Sequence, residues 1–491
     1  MKLAFLILFV LVMIAVGVYS KTKVKSSDDF FLGGRNMGGW ISAFAYGTSY
    51  FSAVIFIGYA GGLGWNFGVS TTWIGIGNAI FGCWLAWRVL AKKTRDMTHR
   101  LDARTMPEFF EKRYQSKNMK FIAALVMFVF LVPYTASVYK GLGYIFESSF
   151  GIGFNTVVLV MAILTAIYLI LGGYVATAIN DFIQGIIMII GSIAMVIYVL
   201  NSDLVGGFSS ALTKLSELEP GLGSFIPNSS QLIPLMSLVL MTSFGVWGLP
   251  QMVHKFYAVK DDEAIRRGTI ISTLFAFIIG VSAYFTGSLG RLFFIENGVA
   301  VMPNANPDMV VPLMLERALP DALMGIIIVL ILSASMSTLA ALVLVSSSTI
   351  SIDFIKGFIK PDLSDKKTTS YMRIFCILFV LLSYFMAVSQ SNTIVYLMSL
   401  SWGVVSGMFL GPYVWGIWSK KVTNLGAWAG FLSGAIVIGG YIILQTLGIL
   451  TIDMPIVSTV AMLVSFTTVP LVSILGKQMN SEYIKKAFGE A

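Results

Sequence analysis

Apolar runs of about twenty residues, separated by short polar segments, recur along nearly the whole chain, and such runs predict membrane-spanning helices. The spans fall near 2–20, 40–62, 66–90, 119–147, 153–171, 177–200, 231–252, 268–294, 320–355, 370–388, 393–418, 423–447 and 454–475. Thirteen is odd, so the termini are expected on opposite sides. The first run, KLAFLILFVLVMIAVGVYS, exceeds the apolar region of a secretory signal and lacks a clear small-residue cleavage site. It reads as a retained helix. Between spans, TMPEFFEKRY has Thr before Pro and then Glu, which predicts a short interfacial helix. The segments 201–230 and 296–319 are the long loops of the opposite side, the second read as a lid over a vestibule.

Three spans break the apolar pattern. The one at 40–62 clusters Gly47, Thr48, Ser49, Tyr50 and Ser52 at its middle. The one at 231–252 carries Thr242, Ser243, Gly245, Gly248 and Pro250 in its second half. Glycine and proline weaken helices, and small hydroxyl residues offer the backbone other partners. In lipid, unwound backbone is tolerated only where protein or a water-filled cavity surrounds it. If each of these spans opens a five-helix unit, the second unit enters from the opposite face. Matching broken helices in two inverted units point to a transporter's binding site; tight packing by small residues is the alternative. The domain plan is one integral unit over 1–491. It comprises 1–39 (leading helix and loop), 40–200 and 231–418 (inverted repeats), 423–475 (two trailing helices) and 476–491 (a cytoplasmic tail).

The third unusual span, 320–355, carries Ser333, Ser335, Ser337 and Thr338, then Ser346 to Ser348. Ser333 and Ser337 share one helix face, as do Ala334 and Thr338. Hydroxyls of Ser337 and Thr338, a loosened carbonyl at Ala334 and carbonyls freed near Thr48 and Phe51 would make a cage of neutral oxygens. Such a cage suits a small hard cation, and neutral oxygens accept protons poorly, which favours Na⁺ over H⁺. The alternative is that these hydroxyls bond back to the preceding turn and ease packing. Asp181 is a lone carboxylate inside a span, a functional candidate by default, and its place near the cytoplasmic end suggests ion release. Asp353 reads as a solvated boundary residue.

Hydrophobic residues make up 57% of the chain and charged residues 12%, about half the charged share of soluble domains. The net charge of +9 is mostly a matter of orientation. With the N-terminus outside and the C-terminus inside, the cytoplasmic segments are 21–39, 88–120, 253–267, 356–373, 419–421 and the tail. Of the 33 basic residues only Lys2, Lys140, Lys214, Arg291 and Arg317 then fall elsewhere. Some attraction to anionic lipid follows; nucleic acid is not needed to explain the surplus. Cys83 and Cys376 lie in separate spans and read as buried thiols rather than a disulfide. His99 and His254 fall in predicted loops, and no metal-ligand cluster or catalytic triad can be assembled, so an enzyme is not expected.

The motifs DDFFLGGRNMGG, FGVWGLPQMVHKF and SASMSTLAALVLVSSSTISIDF, in this order over about 28–420, resemble the solute:sodium symporter family. The resemblance implies an all-α membrane protein with the LeuT-type fold: a leading helix, a 5+5 inverted-repeat core and trailing helices, about thirteen in all. It implies a sodium site on the carbonyls of Thr48, Phe51 and Ala334 and the hydroxyls of Ser337 and Thr338. Substrate contacts carry over to Tyr50, Ser52 and Ala53 on the first broken helix and to Thr242, Val246, Trp247 and Pro250 on the second. Asp181 matches an acidic position beside the sodium route. Proline transporters of the family carry Asp where this chain has Tyr50. Members with a second sodium site carry hydroxyls where this chain has Ala340 and Ala341, so one Na⁺ is expected. GLP, LGR and PDMVVPLML resemble the pantothenate-like and monocarboxylate-like branch, which points to a small carboxylate. Proline and sugars are the alternative solutes, and a passive uniporter or channel the alternative class. The expected setting is the cell membrane, the expected partners a small solute and the bilayer; oligomeric state stays open.

Overall fold

The computed structural model describes residues 2–21, 35–389 and 392–490. The basic segment with Lys23 and Lys25, and the first part of DDFFLGGRNMGG, lie outside the described residues. The fold is almost wholly helical; the strands among the described residues are a two-residue hairpin pairing Ile295 with Ala300 and Glu296 with Val299. Ten of the described helices are long and apolar enough to cross a membrane.

Burial ranks these helices. In Asp321–Ile359, 94% of the most apolar stretch is buried, against 33% for Asp365–Val388 and for Asn424–Thr446. A helix apolar all round belongs at the centre, so the serine-bearing helix is the axis and the other two face lipid.

Both predicted interruptions are present. Helix Gly39–Tyr50 stops at Phe51, whose φ of −105° and ψ of 117° are extended, and helical backbone resumes at Val54–Leu63. Helix Ser229–Gly245 stops before Val246, and Pro250–Ala258 resumes after Leu249, which is also extended. Pro250 sits at the first turn of the new segment, where its missing N–H is no loss. The interfacial helix forms over Met106–Tyr114, with Thr105 Oγ1 accepting from the Glu108 amide at 3.1 Å.

Glycines bring two helices into backbone contact. A Cβ at Gly64 would lie 2.4 Å from Gly287 C, one at Gly75 2.5 Å from Gly280 C, and one at Gly268 2.4 Å from the Trp87 ring. Gly68, with a φ of 60°, separates the segment that carries Gly64 from the helix that carries Gly75 and Trp87. Along the latter the Gly75 and Gly268 contacts run in antiparallel order with Asp262–Ser288, as small residues at helix interfaces allow.

Four expectations need correction. Spans 153–171 and 177–200 are one continuous helix, Phe154–Leu200. Gly172 and Gly173 lower helix propensity by about 1 kcal/mol each, but without proline they do not end it. His99 and His254 are helical rather than in loops, within Lys92–Arg100 and Pro250–Ala258. His254 and Lys255 are buried, so Lys255 is not part of a solvated basic segment. Asp353 is also buried: it accepts from Thr105 Oγ1 at 2.8 Å, with the Lys120 ammonium 3.7 Å away. Cys83 and Cys376 are buried free thiols, as read.

Candidate functional site

The first break meets the serine helix in the middle of the protein. Ser337 Oγ lies 2.9 Å from the Thr48 carbonyl, 3.0 Å from that of Ala334 and 3.1 Å from that of Ser333. Thr338 Oγ1 lies 3.1 Å from the Ala334 carbonyl and 3.4 Å from those of Thr48 and Ser49. All these residues are buried. The break frees the acceptors. The Ala53 amide, which an unbroken helix would direct to Ser49, lies 3.3 Å from Ser335 Oγ. The Ile55 amide, which would serve Phe51, donates to Ser52 O at 3.0 Å.

Hydrogen counting shows what this arrangement can do. Ser337 and Thr338 each have one hydrogen to donate. They converge on four carbonyl oxygens, so acceptor lone pairs outnumber donors. A buried, oxygen-rich and hydrogen-poor cluster without a carboxylate suits a hard monovalent cation. Four of the five predicted ligand residues, Thr48, Ala334, Ser337 and Thr338, are thus brought together; Phe51 stands at the break itself.

The predicted solute contacts divide. Tyr50 Oη donates to the Thr242 carbonyl at 2.6 Å, which joins the two broken helices. Ser52 Oγ caps the half-helix after the break, accepting from the Val54 amide at 3.2 Å. Ala53 packs on Gly141, where a Cβ would lie 2.7 Å from the Ala53 Cβ. Val246 is buried in the second break. Trp247 and Pro250 have other neighbours. Trp247 Nε1 donates to the Phe81 carbonyl at 3.0 Å, and its ring lines an apolar crevice with Leu410, Met462 and Phe466. Pro250 lies beside His254 and Thr349.

Sequence reasoning missed two members of this centre. Ser335 bridges the break, as described. Asn78 Oδ1 accepts from Thr242 Oγ1 at 2.8 Å and from Ser243 Oγ at 3.2 Å, while its buried Nδ2 has no partner. An amide set among the apolar and small residues of GIGNAIFG was the available signal.

Asp181 is buried one turn before Gly185, at which a Cβ would touch Thr48 Cγ2 at 3.2 Å. Its carboxylate is 3.4 Å from the ammonium of Lys255, which lies 5.3 Å from the Tyr174 ring centroid.

On the opposite side, a cavity of about 300 Å³ is lined by Gly58, Leu63, Asn66, Asp308 and Tyr396 among others. Asp308, from the segment read as a lid, accepts from the Ile394 amide at 3.1 Å. Burial pushes its carboxyl up to about 6, opposed by that amide and by Lys140.

A profile described as the sodium:solute symporter family matches residues 30–434. The sodium/pantothenate symporter of Haemophilus influenzae is 30% identical over 457 residues, 90% of this chain and 90% of that protein. The sodium/proline symporter of Escherichia coli is 29% identical over 436 residues, covering 87% and 84%. The solved structure of a Na⁺-coupled sialic acid symporter, substrate-bound and outward-open, superposes with a TM-score of 0.78 at 18% identity, covering 97% of this chain and 99% of that one.

Proposed function

The chain belongs to the sodium:solute symporter family, and on that footing we propose which residues hold the ion, which face the solute and what the solute is. Its activity class is Na⁺-coupled symport of a small organic solute across the cell membrane. One Na⁺ is held by the carbonyls of Thr48, Phe51 and Ala334 and the hydroxyls of Ser337 and Thr338. The observation that carries this reading is the 2.9 Å approach of Ser337 Oγ to the Thr48 carbonyl, on a break that has lost its own amides. The ion ties the first broken helix to the serine helix and so completes the solute pocket beside it.

Tyr50, Ser52, Ala53, Thr242 and Val246 face the solute in this reading, joined by Asn78. Trp247 and Pro250 shape the second break from behind. These side chains are neutral, so the bound Na⁺ and the half-helix N-termini supply the positive potential. A small carboxylate fits that balance, in keeping with the pantothenate-like motifs. The chain runs from an outside N-terminus to an inside C-terminus, and the passes number thirteen if Phe154–Leu200 bends to cross twice. Its 47 residues correspond to about 70 Å of straight helix, against a core of about 30 Å. Asp181 receives the departing Na⁺ once Lys255 moves aside. One Na⁺ moving down 100 mV gains about 2.3 kcal/mol.

The test is thermal stabilisation of the purified protein by carboxylates, amino acids and sugars, each in Na⁺ and in K⁺, followed by uptake of the best solute. Stabilisation by a carboxylate in Na⁺ alone, with uptake against a gradient, is expected. Equal initial rates in Na⁺ and K⁺ would remove the coupling.

A further inference from the structure

A second site lies outside the ion and solute residues, in a crevice of about 380 Å³ between two helices. One wall is Trp84, Arg88 and Lys92, four residues apart on one face. The other is Asp262, Arg266 and Ile270, with the same spacing on the antiparallel neighbour. The crevice sits at the basic ends of these helices. Its mouth is topped by Asp262, which pairs with Lys92 and, at 2.8 Å, with Arg95.

Charge within it is unbalanced. Arg88 lies 5.5 Å from the Trp84 ring centroid and has no carboxylate partner among the described residues. Arg266 faces it across the gap, held by Glu263 of its own helix at 2.9 Å. Two guanidiniums share one crevice, and the nearby carboxylates are engaged: Asp262 by Lys92 and Arg95, Glu263 by Arg266 and Arg267. An anion between the two arginines would relieve the repulsion, and guanidinium geometry matches phosphate oxygens. Among the described residues of the crevice, no free carboxylate remains for the cationic end of a zwitterionic headgroup.

The apolar side of the crevice identifies the source of the phosphate. Below the arginines, Ile80, Trp84, Ile270, Leu274 and Phe277 form an exposed strip, 41–59% accessible. It leads from headgroup depth into the hydrocarbon, and Trp84 is an interfacial aromatic. A soluble phosphate would leave this strip unused.

We propose that the crevice binds one anionic phospholipid, with its phosphate between Arg88 and Arg266 and its acyl chains along Trp84, Ile270 and Leu274. The site goes beyond the transport reading. It borrows from that reading only the leaflet, the cytoplasmic one, where anionic headgroups meet basic pockets between helices.

The experiment titrates purified full-length protein with dioleoylphosphatidylglycerol, dioleoylphosphatidylcholine or inorganic phosphate and follows the unfolding midpoint. Phosphatidylglycerol is expected to raise it by about 3 °C or more. The R88Q/R266Q variant loses most of that shift, whereas K366Q/K367Q, at exposed lysines on another helix, keeps it. An equal shift with phosphatidylcholine or phosphate, or a full shift in R88Q/R266Q, overturns the proposal. Should R88Q/R266Q fail to fold, brominated phosphatidylglycerol decides. It should quench the Trp84 emission, taken as wild type minus Trp84→Phe, at least twofold more than brominated phosphatidylcholine; equal quenching overturns the site.

Discussion

The oxygen cage at the first break and the Asp181–Lys255 pair one turn along the neighbouring helix are both buried, yet they handle charge in opposite ways. The cage has no formal charge and a surplus of lone pairs. The pair carries two formal charges, and each is the other's main compensation. Neutral dipoles hold a cation without a deep electrostatic well, so the ion can exchange. A buried ion pair is expensive to open, because a charge left alone in a low dielectric has no substitute for water. The first arrangement suits a passenger and the second suits a fixed part that must be displaced before anything passes.

The largest effect should come from splitting the pair. Lys255→Met leaves Asp181 alone, and a stability loss of about 3–5 kcal/mol is expected, read from the unfolding midpoint in K⁺. Asp181→Asn added to Lys255→Met should recover most of that loss. In Na⁺ the single variant should regain part of it if the freed carboxylate accepts the ion; identical midpoints in Na⁺ and K⁺ would deny Asp181 a place on the ion's path.

Thr338→Ala tests the cage. Losing one oxygen on a cation is worth about 1.5–3 kcal/mol, which is roughly 10–100-fold in half-saturating Na⁺. Uptake titrated with Na⁺ reads this directly. A normal midpoint with an unchanged Na⁺ requirement would mean that the hydroxyl only packs.

Asp308 gives the smallest effect and a contrast with both. Its folded pKa of about 6 lies above the ordinary carboxylate value of 3.8, so the folded state holds more protons between the two values. Stability from this group is therefore present below pH 4 and is lost as pH rises through 6, by about 1 kcal/mol between pH 5 and pH 7. Asp308→Asn, which can still accept from the Ile394 amide, should flatten that part of the stability profile. An unaltered slope in the variant would assign it to other groups.

The pattern of what sequence revealed follows from the range of the interactions. Glycine, proline and hydroxyl clusters at Gly47–Ser52 and Gly245–Pro250 weaken helices locally, so both breaks were legible in a window of ten residues. The Ser337–Thr338 step was legible because helical periodicity alone puts it on a face with Ser333 and Ala334. Lys255 was not: a lysine five residues after a proline looks like the start of a loop, and what buries it is a carboxylate 74 positions away. Asp353 was misread for the same reason, since its partners Thr105 and Lys120 belong to a different part of the chain. The gap between the spans 153–171 and 177–200 holds Gly172 and Gly173, but glycine only lowers helical propensity and the structure carries the helix through. Asn78 stood in plain view and matters because of Thr242, which no local pattern connects to it.

The close approaches at Gly75 and Gly268 carry a mechanical consequence. Rods whose main chains touch at one level, with the Trp87 ring seated on Gly268 at another, have little slack between them, so the pair behaves as one lever arm. A fluorophore on either rod should report the same swing during turnover, and a donor–acceptor couple placed across the two should stay silent. Replacing Gly75 with a bulkier residue would work as a wedge and divide the lever into two loose pieces.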